Sequence, residues 1–270
     1  MSVIANMIEN ISFEKVLISA VNFPGIKIDR ASFLRNELSK KFDDDIVEKA
    51  INTNPANAGI NIESLDKIAK ACINYETAKV TAISAAASIP SGLAMAATIP
   101  VDIVQYFGHI IRILQKLVYL YGWQEIFYGD EVGLDDATNN ELTLFIGVMF
   151  GVNAANSAIT KIAISIAKKT EKALVRKALA KGTIYPIVEN IAKLIGVRMT
   201  KEIFAKGVGK AIPVVGAVVS GGVTFFSFKP MAKRLQTYLV ALPMASVGFY
   251  KKSHNPLTFI KNIFKKRTSY

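Results

Sequence analysis

The sequence predicts an all-α protein, a multi-helix globular bundle with Gly/Ala-rich apolar helical hairpins. Three observations carry that expectation. Apolar residues recur at three- and four-residue intervals along most of the 270 residues, and no clear strand pairs are visible. Hydrophobic residues make up 51% of the chain, too many for intrinsic disorder. Several uncharged stretches are rich in Ala, Gly and Ser, a composition that lets helices approach closely.

The elements follow in order. Val3, Ile4, Met7, Ile8, Ile11, Val16, Leu17 and Val21 lie near helical spacing, and Phe23-Pro24-Gly25 ends that helix. Asp29 can open the next, which carries Phe33, Leu34 and Leu38 to about Phe42. Asp43, Asp44 and Asp45 favour another N-terminus by capping and dipole. Asn54-Pro55 and Ala58-Gly59 are breakers, after which a helix runs from Ser64 to Ala71 and on towards Thr77.

From Val80 to Val101 there is no charge. A straight helix of that length would span about 33 Å, roughly a bilayer core. Pro90 and Pro100 interrupt it, and its Ala, Ser, Thr and Gly supply little insertion energy. Ser84, Ser88, Gly92 and Ala96 form a small-residue stripe that packs closely in water or in lipid. A buried hairpin and a segment that enters the membrane in some state both fit.

Residues 101–121 form the most distinctive helix. Asp102, Gln105, His109, Arg112 and Lys116 make one polar seam on an otherwise apolar surface, which implies burial with a narrow face towards water or other polar groups. Thr98 and Pro100 start it and Gly122 stops it. Asp102 and His109 are two turns apart, about 10.5 Å of rise, so they do not touch directly. An acid in the first turn also has a plain explanation in the helix dipole.

After an acidic connector at 123–141, Leu142 to Thr160 is uncharged again. Gly147, Gly151 and Ala155 recur there every four residues as a packing face, either within the fold or between membrane helices. Residues 161–210 carry 12 Lys+Arg against 3 acids, with helices expected near 161–181 and 186–205. Ala211 to Phe228 is a third uncharged run, with Gly216, Gly221 and Gly222 as small packing positions, closed by Lys229-Pro230. A last apolar stretch, 235–250, contains Pro243. In the tail, Phe259, Ile260, Ile263 and Phe264 alternate with Lys261, Lys265, Lys266 and Arg267, a pattern suited to a membrane surface or to a solvated tail. The expected organisation is one helical domain over 1–250, with 1–77 as an N-terminal cap and 78–250 as the apolar core. A basic amphipathic tail follows at 251–270.

Composition also excludes classes. Cys72 is the single cysteine, so a disulfide scaffold is impossible, and a lone cysteine beside Ala71 and Ile73 reads as a small buried residue. His109 and His254 are too few for a His-rich metal site. No metal or cofactor is expected. Gly207-Val208-Gly209-Lys210 is not a phosphate loop: Phe204 stands where the first glycine belongs and Ala211 where Ser or Thr belongs. No nucleophile elbow or catalytic triad is visible, so the chain is not expected to be an enzyme. The N-terminus carries Glu9 and Glu14 with no early Lys or Arg, so no secretory signal is expected and the location reads as cytoplasmic.

Charge points to the partner. The net charge is +12, but residues 1–135 hold 12 Lys+Arg and 16 Asp+Glu, while residues 136–270 hold 21 and 5. A basic half of that kind attracts anionic phospholipid, nucleic acid or an acidic protein. Aromatics lie mostly within apolar segments rather than among exposed Lys and Arg, which argues against nucleic acid.

The segment Leu93-Ala94-Met95-Ala96-Ala97-Thr98-Ile99-Pro100-Val101-Asp102, with Gln105, Arg112, Gln115 and Leu120-Tyr121-Gly122, resembles the EcsC family. Ile212-Pro213-Val214-Val215-Gly216 with Gly221-Gly222 is similar to that family's second Gly-rich hairpin, and Pro24-Gly25-Ile26-Lys27-Ile28-Asp29-Arg30 resembles a segment of its longer members. The resemblance spans most of residues 24–240. It implies an all-helical, membrane-associated bacterial protein and brings no catalytic residue.

Two functions are therefore expected as alternatives. One is peripheral association with the anionic inner membrane, extending to a membrane-inserting or permeabilising effector. The other is a non-catalytic interaction module that binds a membrane complex or a lipid-like ligand in a helical pocket; self-association is a further partnership that fits. An unrecognised enzyme at Asp102 or His109 is a third reading.

Overall fold

A computed structural model describes residues 13–86, 101–127, 135–168, 181–194 and 221–251. The described residues form ten α-helices and one 3-10 turn, with no strand among them. In chain order these are α1 (Phe13–Val21), α2 (Arg30–Leu38), α3 (Asp44–Asn52), α4 (Ile62–Ala86), α5 (Val101–Leu120), α6 (Asp136–Phe150), α7 (Asn153–Lys168), α8 (Lys181–Leu194) and α9 (Gly221–Val240). The 3-10 turn Pro243–Ala245 and α10 (Val247–Lys251) follow.

Helix α5 is the axis of the fold. Ile110, Ile111, Ile113, Leu114, Leu117 and Val118 are fully buried, each such side chain stabilising by about 1.5–3 kcal/mol. Helices α1, α2, α4 and α9 pack around it, and α6, α7 and α8 form a second layer joined through α9. A single hydrophobic cluster runs through both layers, from Phe13 to Ala245.

The helix boundaries follow local chemistry. Asp29 caps α2, its Oδ1 accepting from Ser32 N at 2.7 Å. Asp135 caps α6 in the same way through Thr138 N. Asp43 precedes α3 without a side-chain cap bond, so Asp44 and Asp45 act there through the dipole alone. Helix α5 ends in a Schellman turn: Trp123 N donates to Val118 O at 3.0 Å and Gly122 takes φ +100°. A Cβ on Gly122 would stand 2.7 Å from Met244 O, so the 3-10 turn also requires glycine there.

Several expectations change. The helix expected from Ser64 is longer, running from Ile62 to Ala86. The uncharged run 142–160 is two helices, because Gly151 adopts φ +82° and ends α6. Gly147 and Ala155 do pack together, but as partners on α6 and α7: a Cβ on Gly147 would lie 2.7 Å from Ala155 Cβ and 2.8 Å from Ile187 Cγ2. Gly151 is thus the turn residue and not part of the packing face. Pro230 does not close its segment; α9 continues through it, with Phe228, Met231, Ala232 and Leu235 buried on either side. Pro186 likewise sits inside α8. Burial of the flanking side chains offsets the one backbone bond that each proline forgoes.

Gly221 and Gly222 open α9. Gly92, Ala96, Gly216 and the tail residues Phe259, Ile260, Lys261, Ile263, Phe264, Lys265, Lys266 and Arg267 lie outside the described residues. No helix among the described residues is long and apolar enough to cross a membrane.

Candidate functional site

The polar seam of α5 meets a residue that the sequence pattern did not single out, Glu76 of α4. Its side chain is completely buried. His109 Nδ1 lies 2.7 Å from Oε2, while Lys116 Nζ and Arg112 Nε lie 2.7 and 3.2 Å from Oε1. Burial alone would raise the Glu76 carboxyl. Hydrogen bonds from His109 and Lys116, with the charges of Lys116 and Arg112, outweigh it and hold the group down to about 2. The carboxylate is therefore ionised at neutral pH and can only accept, which places a proton on His109 Nδ1.

One face of α4 carries Leu65, Ala69, Cys72, Ile73 and Val80 into the core. Glu76 falls on that face at helical spacing, and a lone acid there was the signal available in the sequence. Spacing alone does not show which residues of another helix meet that acid, because its three partners lie 33 to 40 residues further along the chain.

The loop 23–29 is strapped across α5 beside this cluster. Gln115, fully buried, accepts from Ile28 N at 2.8 Å and donates to Ile26 O at 2.8 Å. Arg112 Nη1 donates to Gly25 O. Ile26 presses on Gly108, where a Cβ would come within 2.7 Å of Ile26 Cδ1. Arg30, at the start of α2, is 5% exposed and fixes the other end of the strap. Its guanidinium donates to Trp123 O, Ile51 O, Ala50 O and Thr53 O.

Helices α2 and α4 both pack on α5, and a groove of about 570 Å³ opens between them. Phe33, Asn36 and Glu37 of α2 form one wall, Ala71, Cys72 and Tyr75 of α4 the other, and Arg112 and Lys116 of α5 the floor. Ile28, Asp29, Ser32 and Lys40 complete the lining, which mixes charged, polar and apolar side chains. Tyr75 stands at the rim, 52% exposed, with Lys79 and Lys116 Nζ 4.8 and 5.1 Å from its ring centre. Burial pushes the Cys72 thiol up to about 11, so it stays protonated and is a poor nucleophile.

The five seam residues thus divide. His109, Arg112 and Lys116 converge on Glu76. Gln105 is half-buried on the same helix and is not part of the cluster. Asp102 lies in the first turn of α5, with its side chain outside the described residues. The polar groups the seam faces come from the protein itself, with Arg112 and Lys116 reaching the groove. No cluster of His, Cys, Asp or Glu that could hold a metal occurs among the described residues.

No family model, no curated protein and no solved structure matches the chain. The EcsC resemblance therefore rests on the motif residues alone. Of these, Gln115 and Arg112 are the two that clamp the strap to α5.

Proposed function

We propose that the chain is a non-catalytic helical protein, related to the EcsC family, that works on the anionic inner face of a bacterial membrane. The observation that carries this reading is the charge partition. Residues 136–270 hold 21 Lys+Arg against 5 acids, and each basic residue near an anionic surface contributes about 1 kcal/mol. Among the described residues of that half, Lys161 and Lys233 are exposed. The basic tail with Phe259, Ile260, Ile263 and Phe264 would add an interfacial anchor.

Attachment is peripheral on this reading. The apolar faces of α6 and α7, including Leu142, Phe145, Met149 and Ile159, are buried within the fold. Permeabilising activity would require that layer to open. Flotation with anionic and zwitterionic vesicles tests attachment. The chain is expected to float with anionic vesicles alone and to dissociate as salt rises; absence of flotation at moderate salt refutes the reading. Dye release from the same vesicles would extend it to a membrane-perturbing effector, and binding without release would restrict it to an anchor.

A second reading, a module that binds a lipid-like ligand or a membrane complex, is favoured by the groove between α2 and α4.

A further inference from the structure

We propose that the outer face of the helix pair α4 and α9 is the surface that lies on an anionic bilayer, with Lys67, Lys70, Lys229 and Lys233 among the lipid phosphates. The inference rests on the membrane attachment proposed above and names the side of the molecule that makes it.

Contacts with α5 fix the direction of both helices. Along α4, Asp66 accepts from Tyr121 and Glu76 from His109, so α4 runs against α5. Along α9, Phe228 and Met231 meet Tyr106 while Gln236 meets Tyr121, so α9 runs with α5. Helices α4 and α9 are therefore antiparallel, and Gln236 Nε2 donates to Asp66 Oδ1 at 3.2 Å across their seam. Lys70 lies one turn beyond Asp66, and Lys233 and Lys229 lie one and two turns before Gln236, so all three flank the same stretch of seam. Lys67 neighbours Lys70 at the i,i+3 spacing. Lys67, Lys70 and Lys233 are exposed and Lys229 is half-buried. None of the four is in an ion pair among the described residues.

The charge on this face does not cancel. Its acids are Glu63 and Asp66, both at one end, so two carboxylates stand against four ammonium groups. Glu76, the remaining acid of α4, is buried on the far side against α5. No acid follows Glu202, so α9 adds none. Lys79 and Arg234, both exposed, extend the positive band on the two flanks. Between the lysines the exposed side chains are short: Asn74, Ala78 and Ala82 on α4, Pro230 and Thr237 on α9. The lysine stems therefore reach past their neighbours. The C-terminus of α4 and the N-terminus of α9 lie at the same end of the pair, and residues 80–86 and 221–228 there carry no charge. A band of lysines bordering an uncharged end suits a bilayer, whose phosphates lie in a plane above an apolar interior. A nucleic acid favours a longer track of charge and an element that enters a groove, and this face offers neither.

Flotation of the full chain with vesicles of phosphatidylglycerol and phosphatidylcholine tests the assignment. K67Q/K70Q/K233Q removes three exposed charges from the face, and K40Q/K41Q/K49Q removes three exposed charges from the α2 and α3 side. Both variants have the same net charge, so a difference between them reports location. Partitioning should fall by about a hundredfold in the first, at roughly fivefold per lysine, and by less than about fivefold in the second. All six sites are exposed, so urea midpoints should match wild type. In a C72S chain, a nitroxide on N74C should be broadened by a lipid-anchored nickel chelate when vesicles bind, and one on K49C should not. Equal loss in the two variants, undiminished binding by the first, or equal broadening at both labels overturns the face and leaves membrane attachment standing. Failure of wild type to float overturns both. Retention of a DNA or RNA duplex that K67Q/K70Q/K233Q loses, without vesicle binding, would assign the face to nucleic acid and also overturn it.

Discussion

Replacing Glu76 by Gln removes the one negative charge that holds three α5 side chains in the core. The substitution keeps the shape, so the effect isolates charge. Glu76 is held at about 2 against an ordinary 4.5, a difference that corresponds to about 3 kcal/mol at neutral pH. Leaving Lys116 and Arg112 without a counter-charge in a buried site costs about 3–5 kcal/mol by analogy with other broken buried pairs. With a urea slope of about 3 kcal/mol per molar, the unfolding midpoint at pH 7 should fall by about 1–1.7 M. The sign with pH follows from the lowered carboxyl. Its stabilisation is complete above the unfolded value near 4.5 and is lost as pH falls towards 2. The wild-type and E76Q midpoints should therefore converge between pH 4.5 and 2. Urea unfolding followed by far-ultraviolet circular dichroism measures both. A midpoint shift below about 0.3 M at pH 7, or a gap that persists unchanged at pH 2, would show that the cluster does not carry the charge balance derived for it.

Other substitutions probe the same fold. R30K loses the planar fork that serves Trp123 O, Ile51 O, Ala50 O and Thr53 O, and should lower stability by about 2–4 kcal/mol in the same urea assay. G147V drives a side chain into Ala155 and Ile187 and should cost about 2–3 kcal/mol, part of which I187A restores in a double-mutant cycle. Glu141, which burial and then repulsion from Asp135 push up to about 7, loses stability for the fold as pH rises from 4.5 through 7. E141Q should accordingly unfold later than wild type at pH 8, by about 2 kcal/mol, and nearly together with it at pH 5.

Much of the architecture is legible locally. Asp29 and Asp135 cap helices because a carboxylate can reach an amide three residues on, and Gly122 ends α5 because the turn needs a positive φ. The polar seam of α5 is equally readable, since helical spacing aligns His109, Arg112 and Lys116 whatever surrounds them. Local rules alone do not place the prolines. Pro230 lies within α9 because neighbouring burial outweighs a missing backbone bond. The small-residue run at 147–155 is ambiguous for a different reason. One spacing served both a packing contact and a turn, and only the left-handed φ of Gly151 separates them.

Sequence by itself determined that this chain is helical, that its charge is concentrated in one half, and that one apolar helix carries a basic seam. Those properties depend on residue type and on intervals within a single element. What the seam faces depends on which helix lies across from it, and that contact spans 33 to 40 residues between Glu76 and its three partners. Tertiary structure alone decided that a single buried carboxylate meets three potential cations. It also decided that α2 and α4 rest on α5 with a groove between them, lined by Arg112 and Lys116 together with polar and apolar side chains of both neighbours. Side-chain periodicity fixes what a helix presents; packing fixes what answers it.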